Sequence, residues 1–299
     1  MTLPDVTDVV HTREAVAWRR GKRTWAFGEW GRASDVRAQG IRAVLLELEG
    51  DWSDALAADR ESASDHVLTA FERGRLTTEQ IAGAPYRSPS VEHEAVRYAL
   101  LPWIEGCTLA PALARARLGQ ACPPDVVATL GLEIARGLLT TPQLGALTPN
   151  AIVIDVRGSA WVRGPLLTSV VERIGAASTR ALAYTAPEAL RADGSADDAA
   201  RLFALGVMLH DLLAGAALFP EGAAGPRAIA RWNAPSVERL PAAPHALRSA
   251  LWLLLQRDPI RRGSPRAIID LLAPSYAPSA EIATELIGDT RTPLPFFSA

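Results

Sequence analysis

The residues of this chain that could do chemistry are few and poorly spaced for it. Its 5 histidines, His11, His66, His93, His210 and His245, are scattered without metal-ligand spacing. Neither a G-x-S-x-G elbow nor an H-E-x-x-H helix occurs. Cys107 and Cys122 do not form a C-x-x-C pair, and Lys22 is the single lysine among 31 basic residues. One stretch nonetheless has the build of a catalytic loop: "LGALTPNAIVID", residues 144–155, with a central proline and an apolar finish. Its only charge is Asp155, which is read as a turn residue after "AIVI". A frame for chemistry is present, and the groups that would perform it are not.

The rest of the composition narrows the classes. With 299 residues and 48% hydrophobic content the chain can bury a large core. A net charge of −2 without a dense basic block lacks the footprint of a nucleic-acid binder. Two cysteines are too few for a secreted disulfide framework and are expected as small apolar core fillers, which favours a reducing compartment. The N-terminal stretch carries acids where a signal peptide would be basic. The most apolar window, residues 202–219, is interrupted by His210 and Asp211, so a buried helix with a core histidine is expected rather than a membrane span. A soluble, cytoplasmic protein follows as the expectation.

The elements that must position the loop fall into two groups. Residues 1–101 mix strand-like runs, "EAVAW", "RTWAFGEWG" and "IRAVLLEL", with one helical region expected over 64–76. From "LLPWIEG" (100–106) onward helices dominate. Val127, Leu130, Ile134 and Leu138 share one face of a helix over 125–140. A second helix over 197–214 starts with acids and stops at Gly215. Further helices are expected near 246–256 and 265–272. Beyond residue 273 the tail is proline-spaced, with regular structure expected only around 281–287, and Phe296 and Phe297 are expected to pack back on the body.

This order, together with four motifs, resembles the protein kinases, specifically the bacterial Ser/Thr type. "LAYTAPEAL" (182–190) resembles the end of the kinase activation segment, and "RLFALGVMLHDLLAG" (201–215) the long helix that follows it. "RDPIRRGSPRAIIDLL" (257–272) is similar to the DPxxRPSAxELL terminus, and "YALLPWIEGCTLAPAL" (98–113) to the strand, hinge and helix before the catalytic loop. The resemblance covers roughly residues 15–272. It implies an α+β, bilobal kinase-like fold: a β-rich N-lobe over 1–101 with a hinge at Leu101, Pro102 and Trp103, a helical C-lobe over 102–272, and a tail over 273–299. It also implies an ion pair between Glu188 of the APE tripeptide and Arg262.

Phosphoryl transfer needs a lysine on the phosphates, acids on magnesium and an aspartate at the acceptor hydroxyl. On this chain the resemblance puts Leu46 at the lysine, Ala146 at the aspartate, Thr148 at the loop lysine and Ala151 at the metal-binding asparagine. Arg163, followed by Gly164 and Pro165, falls where the metal-binding DFG should stand, and an arginine there repels the cation. In the glycine-rich loop Gly28 is kept, but Arg23 and Trp25 replace the first two glycines. Arg201 replaces the aspartate that braces the catalytic loop. Lys22 cannot replace these groups together and is read as an exposed lysine. Glu72, set by counting back from the hinge at the family's helix glutamate, is expected to pair with Arg163 and hold that helix inward.

The function expected is therefore that of a catalytically inactive pseudokinase, without cofactor or metal, acting as a protein-binding scaffold or allosteric regulator. Its partner is expected to be a protein, such as an active kinase or signalling component, with no nucleic acid and no membrane. The activation segment (166–183), with Thr168, Ser169, Ser178 and Thr179, is a candidate regulatory surface if phosphorylated. A nucleotide sensor, an atypical ATP-dependent transferase and a structural subunit of a larger assembly are the alternatives.

Overall fold

Period-two burial builds the first sheet: in residues 41–48 Val44, Leu46 and Leu48 alternate onto one face, and all three are buried. The computed structural model describes residues 24–26, 31–38, 41–48, 50–77, 95–141, 145–173, 179–190, 198–220, 224–233, 243–274 and 277–288. Its strands are β1 (Thr24–Ala26), β2 (Gly31–Ala38), β3 (Ile41–Leu48), β4 (Val67–Leu68), β5 (Glu72–Thr77), β6 (Ala95–Pro102), β7 (Gly106–Thr108), β8 (Ile152–Asp155) and β9 (Ala160–Arg163). Five of them form an antiparallel sheet in the order β1-β2-β3-β6-β5. A smaller sheet runs β4-β9-β8-β7, with β4 parallel to β9. The fold is α+β.

Helices supply the second core. α1 (Ser53–Glu61) lies between β3 and β4, α2 (Ala110–Ala116) follows β7, and α3 (Pro124–Thr140) carries the anticipated face of Val127, Leu130, Ile134 and Leu138, all buried. α4 (Pro165–Arg173) follows β9 directly. α5 (Asp198–Ala214) is buried around most of its circumference, as a helix at the centre of a core must be. It stops at Gly215, whose φ of 63° suits a residue without Cβ. α6 (Ala224–Ala230), α7 (His245–Leu254) and α8 (Pro265–Leu272) complete the helical layer. In the tail, α9 (Ser279–Leu286) forms where it was expected. Arg115 donates to the Glu285 and Leu286 carbonyls at 2.9 Å, closing its C-terminal end. Phe296 and Phe297, and the "EAVAW" run, lie outside the described residues.

Two of the readings need correction. The helix expected over 64–76 is displaced: α1 occupies 53–61, and the expected span holds β4 and β5. The apolar run of Val67, Leu68 and Ala70 is buried because it lies in and beside a strand, whereas α1 shows no apolar stripe and its one fully buried residue is Asp59. His210 is not a hydrogen-bonded core histidine. It is half-buried, with Nδ1 lacking a hydrogen bond among the described residues and 3.6 Å from the Asp211 carboxylate.

The anticipated pair of Glu188 and Arg262 is formed. Arg262 is fully buried, and each of its N–H groups has an acceptor: both Glu188 carboxylate oxygens, and the carbonyls of Gln256, Ala199 and Arg257 at 2.7, 2.9 and 3.0 Å. Its guanidinium also stacks 4.9 Å from the Phe203 ring centroid. Removing Glu188 strands a buried cation, so Glu188→Ala is expected to cost about 3–5 kcal/mol in urea unfolding. A loss near or below about 1 kcal/mol, the worth of an exposed pair, would refute this account of the site.

Candidate functional site

Residues of β3, β6, β8, β9, α1 and α4 converge on one buried cluster, and Arg163 at the end of β9 reaches the loop over 145–151. Leu46 of β3 is 0% exposed and lies opposite Ala33 and Ala99 in the sheet. Val44, Leu46 and Leu48 of β3, Ala99 and Leu101 of β6, Val153 of β8 and Leu166, Leu167 and Val170 of α4 form one continuous buried cluster. Trp52 is buried in it, and Trp103 and Trp161 pack against its edge. The sheet and the helices therefore meet through side chains. A polyanion placed within this apolar cluster would lose its hydration, and the cluster itself supplies no charge to replace it.

The loop itself is short of reactive groups. Ala146 is exposed, Thr148 is half-buried, and residues Pro149–Ala151 make a 3-10 turn with Ala151 buried. Asn150 is held on both sides: its Oδ1 accepts from the Thr108 hydroxyl at 3.2 Å and its carbonyl accepts from Arg163 Nη2. Asp155 closes the β8–β9 hairpin, accepting the N–H groups of Arg157 at 2.8 Å and Ser159 at 2.9 Å. This is the turn role anticipated for it. Arg201 is buried in α5 and donates to the Thr141 carbonyl at 3.0 Å, so the segment leading into the loop is still braced, but by a donor acting on a carbonyl.

The anticipated pair between Glu72 and Arg163 is not formed. Glu72 belongs to β5 and accepts the Tyr98 hydroxyl at 2.8 Å, while Arg163 reaches Asn150. The helix is held by a different acid, one that sequence reading missed. Asp59 of α1 is fully buried and accepts the Ala70 N–H at 2.9 Å, Arg73 Nη2 at 2.5 Å and, more weakly, the Leu166 N–H at 3.4 Å in the first turn of α4. One carboxylate thus ties α1 to the chain before β5 and to α4, where an acid also suits the helix dipole. Gly164 lies at this junction, and a Cβ there would meet the Leu68 carbonyl at 2.6 Å and Asp59 Oδ1 at 2.8 Å. The residue between Arg163 and the helix must be glycine.

The remaining candidates divide by position. Thr168 and Ser169 lie in α4, a helix packed on α1, and not in a loop; the Thr168 hydroxyl is enclosed without a hydrogen bond among the described residues. Thr179 starts a 3-10 turn, Thr179–Tyr184, whereas Ser178 lies outside the described residues. Trp25 is in β1 opposite Ala33, and Lys22, Arg23 and Gly28 lie outside the described residues. Of the hinge, Leu101 and Pro102 end β6 and Trp103 follows it. No protein-family model matches the chain, and no curated protein matches it.

Burial pushes the Asp59 carboxyl above the ordinary carboxylate range, against the pull of Ala70, Arg73 and Leu166. Arg73 does not cancel this, because its own side chain is 21% exposed and partly screened. The folded chain therefore binds the Asp59 proton more tightly than the unfolded chain does. The contribution of Asp59 to stability is largest below the ordinary carboxylate range and falls as pH rises through the folded pKa. Urea unfolding of wild type and Asp59→Asn between about pH 4 and 7 should show the wild-type advantage shrinking as pH increases. A growing advantage would mean that Arg73 outweighs burial.

Proposed function

We propose that the protein is a pseudokinase that acts by binding another protein. One observation carries the reading: Val44, Leu46, Leu101, Val153 and Leu166 form one buried apolar cluster, and it includes Leu46, the position that the resemblance to kinases assigns to the phosphate-binding lysine. Supporting it are the strand order β1-β2-β3-β6-β5 with α1 between β3 and β4, and the Glu188–Arg262 tie from the APE tripeptide to the C-terminal helices. Phosphoryl transfer consists mainly of positioning and neutralising charge. Here the positions for that work carry Leu46, Ala146, Thr148, Ala151 and Arg163, which offer no base and no metal ligand. The groups that keep the fold intact are retained, so what remains is a shaped surface.

Two further features bear on the setting. Cys107 and Cys122 are free and buried, and burial raises both thiols, with Cys122 pushed up to about 11. Neither is a reactive thiolate, which suits a reducing, cytoplasmic compartment. No helix among the described residues is long and apolar enough to cross a membrane.

The reading is tested by thermal unfolding with ATP, with and without magnesium. The melting temperature is expected to be the same with magnesium-ATP as with magnesium alone. A magnesium-dependent rise, saturating in ATP, would overturn the reading and restore an enzyme to consideration.

A further inference from the structure

Among the described residues the buried charges are, with one exception, matched. Asp59, Asp211 and Arg262 are each fully buried and each faces an opposite charge: Arg73 at 2.5 Å, Arg117 at 2.8 Å and Glu188. Arg163 is the exception. It is only 3% exposed, yet its hydrogen bonding among the described residues is a single donation from Nη2 to the Asn150 carbonyl. Its Nε–H is enclosed without an acceptor, and no carboxylate among the described residues pairs with it. A guanidinium taken out of water without a counter-charge is costly, and a fold that tolerates one gains from anything that supplies the charge.

The surroundings say what could supply it. Arg163 is bonded to the loop over 145–151, in which Ala146 is exposed and Thr148 and Asn150 are half-buried. Asn150 has its Oδ1 occupied by the Thr108 hydroxyl, which leaves its Nδ2 hydrogens as spare donors on the residue that Arg163 already holds. The cluster around Leu46 and Val153 is made of apolar side chains, which offer a base or a sugar no hydrogen-bonding group. A planar N–H fork with amide donors on the adjacent residue suits a tetrahedral oxyanion bound through two parallel hydrogen bonds.

We propose that Arg163, with Asn150, forms a binding site for one small oxyanion of the phosphate class, reached past the loop over 145–151. The bound anion neutralises Arg163 and fixes the loop through Asn150. Burial lowers the Arg163 pKa to about 10, which still leaves the group charged at neutral pH. The site does not depend on the pseudokinase reading. Stabilisation by magnesium-ATP would defeat that reading and leave this one standing, and a missing phosphate response would do the reverse.

The test is thermal unfolding of the full chain, wild type and Arg163→Met, titrated with sodium phosphate, sodium acetate or sodium chloride at matched ionic strength. Phosphate also stabilises proteins generally, through exclusion from their surface, and that effect is common to both proteins. The expected result is a saturable rise in melting temperature in wild type beyond the common effect, absent from acetate, with at least a tenfold loss of apparent phosphate affinity in R163M. In chloride, R163M should melt no lower than wild type, because a neutral side chain of similar length removes an unmatched charge. An identical phosphate response in the two proteins, or none in wild type, overturns the proposal. Should R163M fail to fold, the arginine Nε–H resonances of the wild type decide it. Saturable movement of a solvent-protected Nε–H signal with phosphate supports the site, and an unmoved set rules it out.

Discussion

A leucine at position 46 constrains much of the surrounding structure. Leu46 is completely buried at the centre of the sheet, and Val44, Ala99, Leu101, Val153 and Leu166 close around it in one cluster. Apolar burial of this kind is worth roughly 1.5–3 kcal/mol for a single large side chain, and it is won only if water and charge stay out. The contacts that join the sheet to the helices are therefore the same contacts that deny a polyanion its solvation. On the proposed reading, stability of the junction and accommodation of a triphosphate are opposed demands on one volume, and this chain meets the first.

The charges follow the same division. Arg262, Asp59 and Asp211 are deeply buried, and each is held by an opposite charge together with backbone groups. Asp211, for example, accepts Arg117 at 2.8 and 3.1 Å and the Leu218 N–H at 2.7 Å. Such pairs contribute less net stability than their Coulomb attraction suggests, but they fix geometry, because losing one partner leaves the other stranded. Each joins segments far apart in sequence: Glu188 with the turn at Pro259–Arg262, Asp59 with Arg73 and the start of α4, Asp211 with the end of α2. Acids are kept where they hold elements together and are missing from the loop over 145–151.

How much of this was legible in the sequence depended on whether burial leaves a periodic trace. α3 and α5 were legible because their apolar residues recur at helical spacing, and the Glu188–Arg262 pair because both residues sit inside recognisable motifs. α1 was not: its sequence, "SDALAADRE", buries a carboxylate and only part of Ala55 and Leu56, so no stripe marks it. The helical region was instead expected over 64–76, where β4 and β5 lie, and counting back from the hinge then put the helix glutamate at Glu72. The Glu72–Arg163 pairing failed with it, since Glu72 is a strand residue facing Tyr98. Asp59 carries no sequence signal, because what makes it important is the enclosure of its carboxylate by three segments. β2 was missed for a related reason: "GRASDVRA" has no large apolar residue besides Val36, and its strand conformation is set by pairing with β1 and β3.

The Asp59 junction also bears on how such a protein could work without a ligand. In an enzyme whose helix and strand are joined by a bound nucleotide, the position of that helix reports occupancy. Here α1 is joined to the segment before β5 and to α4 by a carboxylate of its own, and Gly164 lets the Leu68 backbone close over the turn between β9 and α4. Pro165 opens α4 with its φ already fixed for a helix, so the segment after Arg163 is committed to helix and packed on α1. The packing of α1 on α4, held by internal contacts, does not need a small molecule to order it. On the proposed reading this is what a protein-binding scaffold requires, since a surface ordered in advance spares its partner the entropy of ordering it.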